Sequence, residues 1–255
     1  MHVVTWNVNS IRAREERVLA WLAAVKPDVV CLQELKVVDD KFPRAAVEAL
    51  GYHVETHGQP TYNGVAILSR EALSDVGRGF EDDDPDDHAR FIAATTFGVR
   101  IMCAYVPNGQ APDSPKFAYK LRWFERLGAY LERRVASTAP ALLCGDFNVA
   151  PTDLDVHDPA AWHGQILCTP EERAALAHVM DGRFVDVVRR VHPDRQLFSW
   201  WDYRQLAFPK NRGLRIDHIV ATEPLADRVV DAGVDRDARK GKQPSDHAPV
   251  WARFD

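Results

Sequence analysis

Leu142-Leu143-Cys144-Gly145-Asp146-Phe147-Asn148 is the stretch on which the reading of this chain turns. It opens as a short, wholly apolar run, the pattern of a strand buried on both faces. Glycine, aspartate and asparagine follow where such a strand should leave the core. An acid and an amide near each other, delivered by a rigid element, are well placed to hold a metal, a water or a phosphoryl oxygen. The same three residue types are also favoured in turns. Taken alone, the stretch reads as a turn.

Its neighbours in sequence change that reading, because other strands finish the same way. Val3 to Trp6 runs into Asn7-Val8-Asn9-Ser10, and Asp28-Val29-Val30-Cys31-Leu32 runs into Gln33-Glu34-Leu35-Lys36. Between them lies a helix with Val18, Leu19, Trp21, Leu22 and Val25 on one face, stopped at Lys26-Pro27. This strand–helix–strand order predicts parallel neighbours in one sheet. A short helix over 43–50 closes at Gly51. Strands are expected over 52–55 and 64–69, then over 90–96 and 99–106 as a hairpin across Phe97-Gly98. The second hairpin strand ends in Tyr105-Val106-Pro107-Asn108. A long amphipathic helix over 115–135 carries Phe117, Leu121, Phe124, Leu127 and Leu131. Loops and helices fill 149–210, with Thr169 as an N-cap before Pro170. Strands over 214–221, 228–234 and 248–254 complete the chain. No Gly/Ser or Pro linker divides it, so one α/β domain of the α+β type is expected over 1–255, with mixed sheets covered by helices.

Composition sets the bounds. The 255 residues suffice for a sizeable core, and 46% hydrophobic with 27% charged residues is ordinary for a globular protein. The net charge of −5 argues mildly against a broad nucleic-acid grip, but Glu81–Asp87 alone holds six acids, read here as a solvated loop. There is no signal-peptide pattern and no apolar run near a membrane span of about 20 residues. Cys31, Cys103 and Cys144 sit in apolar runs and, like Cys168, lack CxxC spacing. They read as buried thiols in a reducing cytoplasm.

Polar residues accompany strands at six places: Asn7 and Asn9, Glu34, Tyr105 and Asn108, Asp146 and Asn148, Asp217 and His218, and Asp246-His247. Each alone is more simply a cap or turn. Together, rich in carboxylates and amides, they point to one convergent site where strand ends meet. Oxygen donors with few histidines and no cysteine suit Mg²⁺, which takes one or two carboxylates and leaves its other positions to water and phosphate. Glu34 fits that role, with Asp146 or Asp246 as further partners. No GxxxxGK[ST] loop and no GxSxG occur, which disfavours triphosphate hydrolysis and a serine nucleophile. His247 alone reads as structural or catalytic; Asp217 is the carboxylate that would orient it. Phosphodiester hydrolysis needs charge compensation, a held water and donors to phosphoryl oxygens. Glu34 with Mg²⁺, then Asp146, then Asn7, Asn148 and His247 supply these.

The ordered set TWNVNSIR (5–12), LQELK (32–36), YNGVAILS (62–69), YVPN (105–108), GDFNVAP (145–151), NRGLRID (211–217) and SDHAPV (245–250) resembles the exonuclease III family of abasic-site DNA endonucleases, within the endonuclease/exonuclease/phosphatase superfamily. The resemblance spans about residues 3–254. It implies a four-layer αββα sandwich and Mg²⁺- or Mn²⁺-dependent cleavage 5′ to abasic sites in double-stranded DNA, with 3′-phosphodiesterase and 3′→5′ exonuclease activity. By position it makes Glu34 the main metal ligand. Asp146 holds or deprotonates the water, Asn148 holds the phosphate, and Tyr105 contacts phosphate or leaving group. Asp217 orients His247 on the scissile phosphate, while Asn7 and Asp246 complete a metal environment that includes Asp146, Asn148 and His247. Whether Asp146 or His247 is the base stays open, as does one metal or two. Asn9 stands where some relatives carry an acid, so it is expected to hold a metal-bound water rather than the metal. Trp200 and Leu214 match the pocket for a flipped-out abasic sugar. Of Trp200 and Trp201, one is expected to be core. Arg90, Asn108, Lys116, Arg204 and Arg215 are assigned to DNA, with Lys210 and Arg212 read evenly as phosphate contacts or solvated surface. A monomer without membrane attachment is expected. Two other readings stand beside this one: a phosphodiesterase of the same superfamily on another ester, and a catalytically silent nucleic-acid-binding protein.

Overall fold

Leu142 and Cys144 face one way along their strand, Ala141 and Leu143 the other, and both faces are buried. That is why the apolar run is unbroken: a strand inside a layered structure contributes to two cores at once. The computed structural model describes residues 1–84, 86–180 and 182–255; Pro85, inside the acidic run, and Asp181 lie outside the described residues. In chain order the elements are β1 (His2–Asn7), α1 (Ile11–Val25), β2 (Val29–Gln33), α2 (Arg44–Glu48), β3 (His53–His57), β4 (Val65–Ser69), β5 (Ser74–Arg78), β6 (Phe91–Thr96), β7 (Val99–Tyr105), α3 (Pro115–Arg134), β8 (Ala141–Asp146), α4 (Pro159–Trp162), α5 (Pro170–Met180), β9 (Phe184–Asp186), α6 (Val187–Val191), β10 (Asp217–Thr222), α7 (Glu223–Ala226), β11 (Val229–Val234) and β12 (Val250–Phe254).

The strands form two six-stranded mixed sheets, ordered β11-β12-β1-β2-β4-β3 and β5-β6-β7-β8-β10-β9. β1 with β2 and β7 with β8 are parallel, as the strand–helix–strand order predicts for the first pair. Val3, Cys31, Ile67, Ile101, Cys144 and Ile219 fill the space between the sheets. Outside the first sheet, Val18 and Leu22 of α1 pack on Val4, Trp6 and Leu32. Outside the second, Trp123, Phe124 and Leu127 of α3 and Leu176 of α5 pack on Met102 and Leu143. Each such large apolar side chain contributes about 1.5–3 kcal/mol on burial. The result is the expected α/β sandwich of four layers. All four cysteines are free and buried.

Local chemistry sets the element ends. Ser10 accepts from the Ala13 amide at the start of α1, and Lys26 closes it in a left-handed conformation ahead of Pro27. Thr169 Oγ1 accepts from Glu172 N at 3.2 Å while Glu172 Oε2 accepts from Thr169 N at 3.0 Å, a reciprocal cap for α5. Phe97 and Gly98, both at positive φ, make the two-residue turn of the β6–β7 hairpin. Gly145 is fixed by close approach: a Cβ there would lie 1.9 Å from the Ala104 carbonyl oxygen on β7.

Three expectations need correction. β5 and β9 are strands where none was read; β5 is a largely exposed edge with an irregular register, and β9 has only three residues, so neither carries an apolar alternation. The strand expected to begin at Leu214 begins at Asp217, because residue 214 bridges to Val156 and Trp200 instead of joining the sheet. The acidic run is not simply solvated. Arg126 of α3 grips Asp82 with two bonds, 2.7 and 3.0 Å, and Tyr119 donates to Asp86 at 2.7 Å.

Candidate active site

The six polar places meet at one edge of the sandwich, from both chain directions, except that His218 turns away onto Arg215 and the Val149 carbonyl. β1, β2, β7 and β8 deliver residues at their C-terminal ends; β10, antiparallel to β8, and β12, antiparallel to β1, bring residues at or before their starts. Asp146 and Asp217 are direct cross-strand partners, and Tyr105 lies beside Asp146 across the parallel pair.

Hydrogen bonds join the side chains in two groups that face each other across a 3.8 Å gap between His247 and Asp146. The Asn7 amide nitrogen donates to Glu34 Oε1 and to Asp146 Oδ2, both at 2.8 Å, while its oxygen accepts from the Asn9 amide at 3.0 Å. Two acceptors on one side and a backbone donor on the other fix that amide's orientation. Lys36 Nζ sits 2.8 Å from Glu34 Oε2 and 2.6 Å from Asn9 Oδ1. Asn9 in turn donates to Asp246 Oδ1 at 3.0 Å, and Trp200 Nε1 donates to Asp246 Oδ2 at 3.0 Å. His247 Nδ1 meets Asp217 Oδ2 at 2.8 Å, leaving Nε2 3.8 Å from Asp146 Oδ2. Asn148 N donates to Asp146 Oδ1 at 2.9 Å, and Asn108 Nδ2 donates to Asn148 Oδ1 at 3.1 Å.

The backbone is bent to make this possible. Glu34, Asn148 and Asn9 are all left-handed, with φ of 54°, 51° and 44°. Non-glycine residues hold such conformations at roughly 1–3 kcal/mol each, so neighbours must enforce them. For Glu34 the enforcers are the carbonyls of Asn63 and Gly64, which accept from Lys36 N at 2.9 Å and Leu35 N at 3.1 Å.

The electrostatics separate the titratable groups. Burial would raise the Glu34 carboxyl, but Lys36 and the Asn7 amide hold it below its usual range. Burial, with Asp217 and Glu34 nearby, pushes Asp146 up to about 7 against the pull of His247. Burial opposes charge on His247, yet Asp217 and Asp146 raise it to about 10, so it is an imidazolium at neutral pH. Burial and the charge of Glu34 push the Tyr105 phenol well up, and it stays a neutral donor. Arg90 lies over its ring, 4.6 Å from the centroid.

Among the described residues, one oxygen each of Glu34 and Asp146 and a ring nitrogen of His247 lie within 4.8 Å of one another, and with His247 an imidazolium the two carboxylates are the ligand atoms. Two carboxylate donors, one of them insufficiently compensated, suit a hard divalent cation. Asp246 stands outside this trio, held by Asn9 and Trp200, and both N–H donors of the Asn7 amide are taken by Glu34 and Asp146.

The DNA assignments divide. Asn108, Lys116 and Arg204 are exposed. Trp200, half-buried, lines a cleft of about 330 Å³ with His157, Trp162, Arg204 and Arg212, whereas Trp201 is core. Exposed Lys210 and Arg212 stay available as surface cations. Two residues move out. Arg215 is fully buried, its Nε 2.7 Å from Asp155 Oδ1 and its Nη1 2.7 Å from Asp186 Oδ2, so it cannot reach a phosphate. Leu214 is also fully buried, packed on Val156 and Ile216, and shows no face to the cleft.

Sequence reading passed over three supports. Ser199 Oγ donates to Asp217 Oδ2 at 2.6 Å and accepts from the amides of residues 216 and 217. Ser245 Oγ donates to Asn7 O at 2.7 Å and accepts from His247 N at 3.1 Å. Lys36 neutralises Glu34. Each lies close to a candidate in sequence: Ser199 precedes Trp200, Ser245 precedes Asp246, and Lys36 is two residues from Glu34.

A mixed-sheet sandwich with carboxylates, amides and a carboxylate-held imidazolium at one edge defines a hydrolase of phosphate esters. The chain belongs to the endonuclease/exonuclease/phosphatase family, whose model matches residues 4–247, and within it to the exonuclease III type of nuclease. It is 40% identical to exodeoxyribonuclease III of Haemophilus influenzae over 100% of both chains. Its structure matches an AP endonuclease from Archaeoglobus fulgidus at TM-score 0.97 and 42% identity, covering 100% of this chain and 99% of that one. It matches the 3′ phosphatase NExo from Neisseria, bound to a product DNA hairpin, at TM-score 0.97 and 44% identity with the same coverage.

Proposed function

We propose that this nuclease is a Mg²⁺-dependent DNA repair enzyme that cleaves the phosphodiester 5′ to abasic sites in duplex DNA, with 3′-phosphodiesterase and 3′→5′ exonuclease activity. The observation that carries the reading is the pairing of Glu34 and Asp146 through Asn7, opposite a His247 clamped by Asp217. Support comes from relatives described as an exodeoxyribonuclease, an AP endonuclease and a 3′ phosphatase bound to DNA.

Glu34 and Asp146 would hold the divalent cation, Mg²⁺ or Mn²⁺, with Asn7 setting the spacing of the two carboxylates. When bound, the cation would supply positive charge to the developing phosphoryl anion. Asp146 holds the attacking water. An imidazolium has no lone pair with which to take the water's proton, so Asp146 accepts it, and His247 Nε2–H donates to a phosphoryl oxygen. Asn148 donates to the phosphate, and the neutral Tyr105 phenol donates toward the leaving oxygen. Asn108, Lys116, Arg204 and Arg90 meet the backbone, joined by Lys210 and Arg212, and the cleft beside Trp200 receives the abasic sugar. The enzyme acts as a monomeric single domain in the cytoplasm. Among the described residues no helix is long and apolar enough to cross a membrane.

The test is a duplex with one tetrahydrofuran residue. Nicking 5′ to that residue with Mg²⁺, stopped by chelation, is expected. An intact duplex product across a wide range of Mg²⁺ and Mn²⁺ sinks the reading.

A further inference from the structure

Lys120 lies at the foot of the site, fully buried, and meets two of the residues given roles above, Asn108 and Asn148, only through their backbone carbonyls. It projects from α3, in the apolar stripe between Phe117 and Phe124. Its ammonium donates to the Asn148 carbonyl at 2.7 Å, to the Asn108 carbonyl at 3.2 Å and to Glu172 Oε1. Those three bonds use all three of its N–H donors. Glu172 is equally committed: Oε1 accepts from Leu167 N at 3.2 Å, and Oε2 accepts from Thr169 N at 3.0 Å and Thr169 Oγ1 at 2.8 Å. One buried ion pair therefore joins α3, α5, the loop after β7 and the loop after β8.

A buried ion pair is weak support for stability, because its desolvation offsets much of its attraction. Geometry gives this one another use. Asn148 is left-handed, and the ammonium captures its carbonyl. Its side chain is set from the other loop by Asn108 and by Val106 O, to which its Nδ2 donates at 3.0 Å. The spacing of the two loops thus determines where the Asn148 amide and the Asp146 carboxylate point, and Lys120 bonds to both loops.

We propose that Lys120 is a positioning residue for the phosphodiester cleavage: its ammonium, oriented by Glu172, ties the backbone carbonyls of Asn108 and Asn148 and so holds the two site loops in register. This rests on the cleavage reading given above. Misplacement of reacting groups by about 1 Å is worth up to about 100-fold in rate.

Three variants separate the clamp from general packing. Lys120→Met strands the Glu172 carboxylate and is expected to unfold readily. Lys120→Met combined with Glu172→Gln removes both charges and keeps the volume. Glu172→Gln alone keeps the lysine on the two carbonyls. The double variant, folded by circular dichroism, is expected to lose about 10–100-fold in kcat with KM within about threefold, while Glu172→Gln stays within about threefold of wild type. A double variant with wild-type kcat, or a Glu172→Gln loss equal to that of the double, overturns the proposal. Hydrogen exchange reads the clamp without catalysis: backbone amides over 146–150 should exchange at least about tenfold faster in the double variant than in Glu172→Gln. Unchanged exchange overturns the clamp even if the wild type nicks DNA. Faster exchange with a wild-type protein that nicks no abasic duplex refutes the cleavage role, identifies the function reading as what failed, and leaves the loop clamp supported.

Discussion

Arg215 gives the sharpest test of how the structure redistributes roles. In the sequence it sits in a basic cluster; in the structure it is an ion-pair hub. Its guanidinium holds Asp155 and Asp186, and Nη1 is 3.1 Å from His218 Nδ1. Arg215→Met keeps the apolar stem and removes the charge, leaving Asp186 without its cation and Asp155 with Arg189 alone, at 2.5 Å. Removing one partner of a buried pair is worth about 3–5 kcal/mol. At roughly 2–4 °C per kcal/mol for a chain of this size, Tm should fall by about 6–20 °C. Thermal unfolding at pH 7 measures that directly. DNA binding by the variant, assayed below its Tm, should keep the wild-type dependence on salt. Arg204→Ala is the contrast: Tm unchanged, and the salt slope reduced by about one if Arg204 meets a phosphate. An Arg215→Met protein with wild-type Tm and a shallower salt slope would refute the buried triad and return Arg215 to the DNA face.

The same cluster sets an acid limb. Burial would raise the Asp155 carboxyl, but Arg215 holds it down to about 2. A lowered folded pKa means stability that is complete above the unfolded value and lost as pH falls toward the folded one. About 2–3 kcal/mol should therefore disappear between roughly pH 4 and pH 2, and Asp155→Asn should flatten that limb in denaturant titrations. Asp146→Asn and His247→Asn should each lower kcat by about 100-fold or more with the fold intact; a near-normal rate removes that residue from the mechanism. Gly145→Ala should destabilise by more than about 4 kcal/mol, since the new methyl has no space beside Ala104, and a Tm within a few degrees of wild type would contradict the close strand approach.

What the sequence discloses follows from how local the physics is. The strands ending at Asn7, Gln33, Tyr105 and Asp146 are legible because both faces are buried and polar residues mark where they leave the core. The Phe97-Gly98 hairpin is legible because its turn lies between its strands. β5 is not: an edge strand with exposed Ser74 and Asp75 carries no alternation to read. Arg215 and Leu214 were misplaced for another reason. Their burial depends on Asp155, Val156 and Trp200, which are distant in sequence, and nothing within NRGLRID announces those partners. Lys120 is the instructive case. Phe117, Lys120, Phe124, Leu127 and Leu131 keep the three–four spacing of a buried stripe, and Leu121, taken as part of that stripe, is only half-buried. A lysine at an apolar position was a signal in plain view.

The topology also explains why His247 sits where it does. Antiparallel pairing of β8 and β10 puts Asp146 directly opposite Asp217, both buried. Like charges facing across a sheet are destabilising, and burial amplifies the repulsion. Asp217 cannot turn away, because Ser199 Oγ, itself anchored by the amides of residues 216 and 217, donates to its carboxylate, and Asp146 is held by Asn7 and Asn148 N. His247 arrives before β12, the strand beside β1, and spans the gap: Nδ1 on Asp217, Nε2 toward Asp146. The imidazolium is thus the counter-charge the paired carboxylates require. In the proposed cleavage the same placement would serve catalysis, since the N–H pointing toward Asp146 would meet a phosphoryl oxygen beside it. In the proposed cleavage, Asp146 would therefore be the group that holds the water and accepts its proton, because the strand pairing commits the histidine to carrying charge.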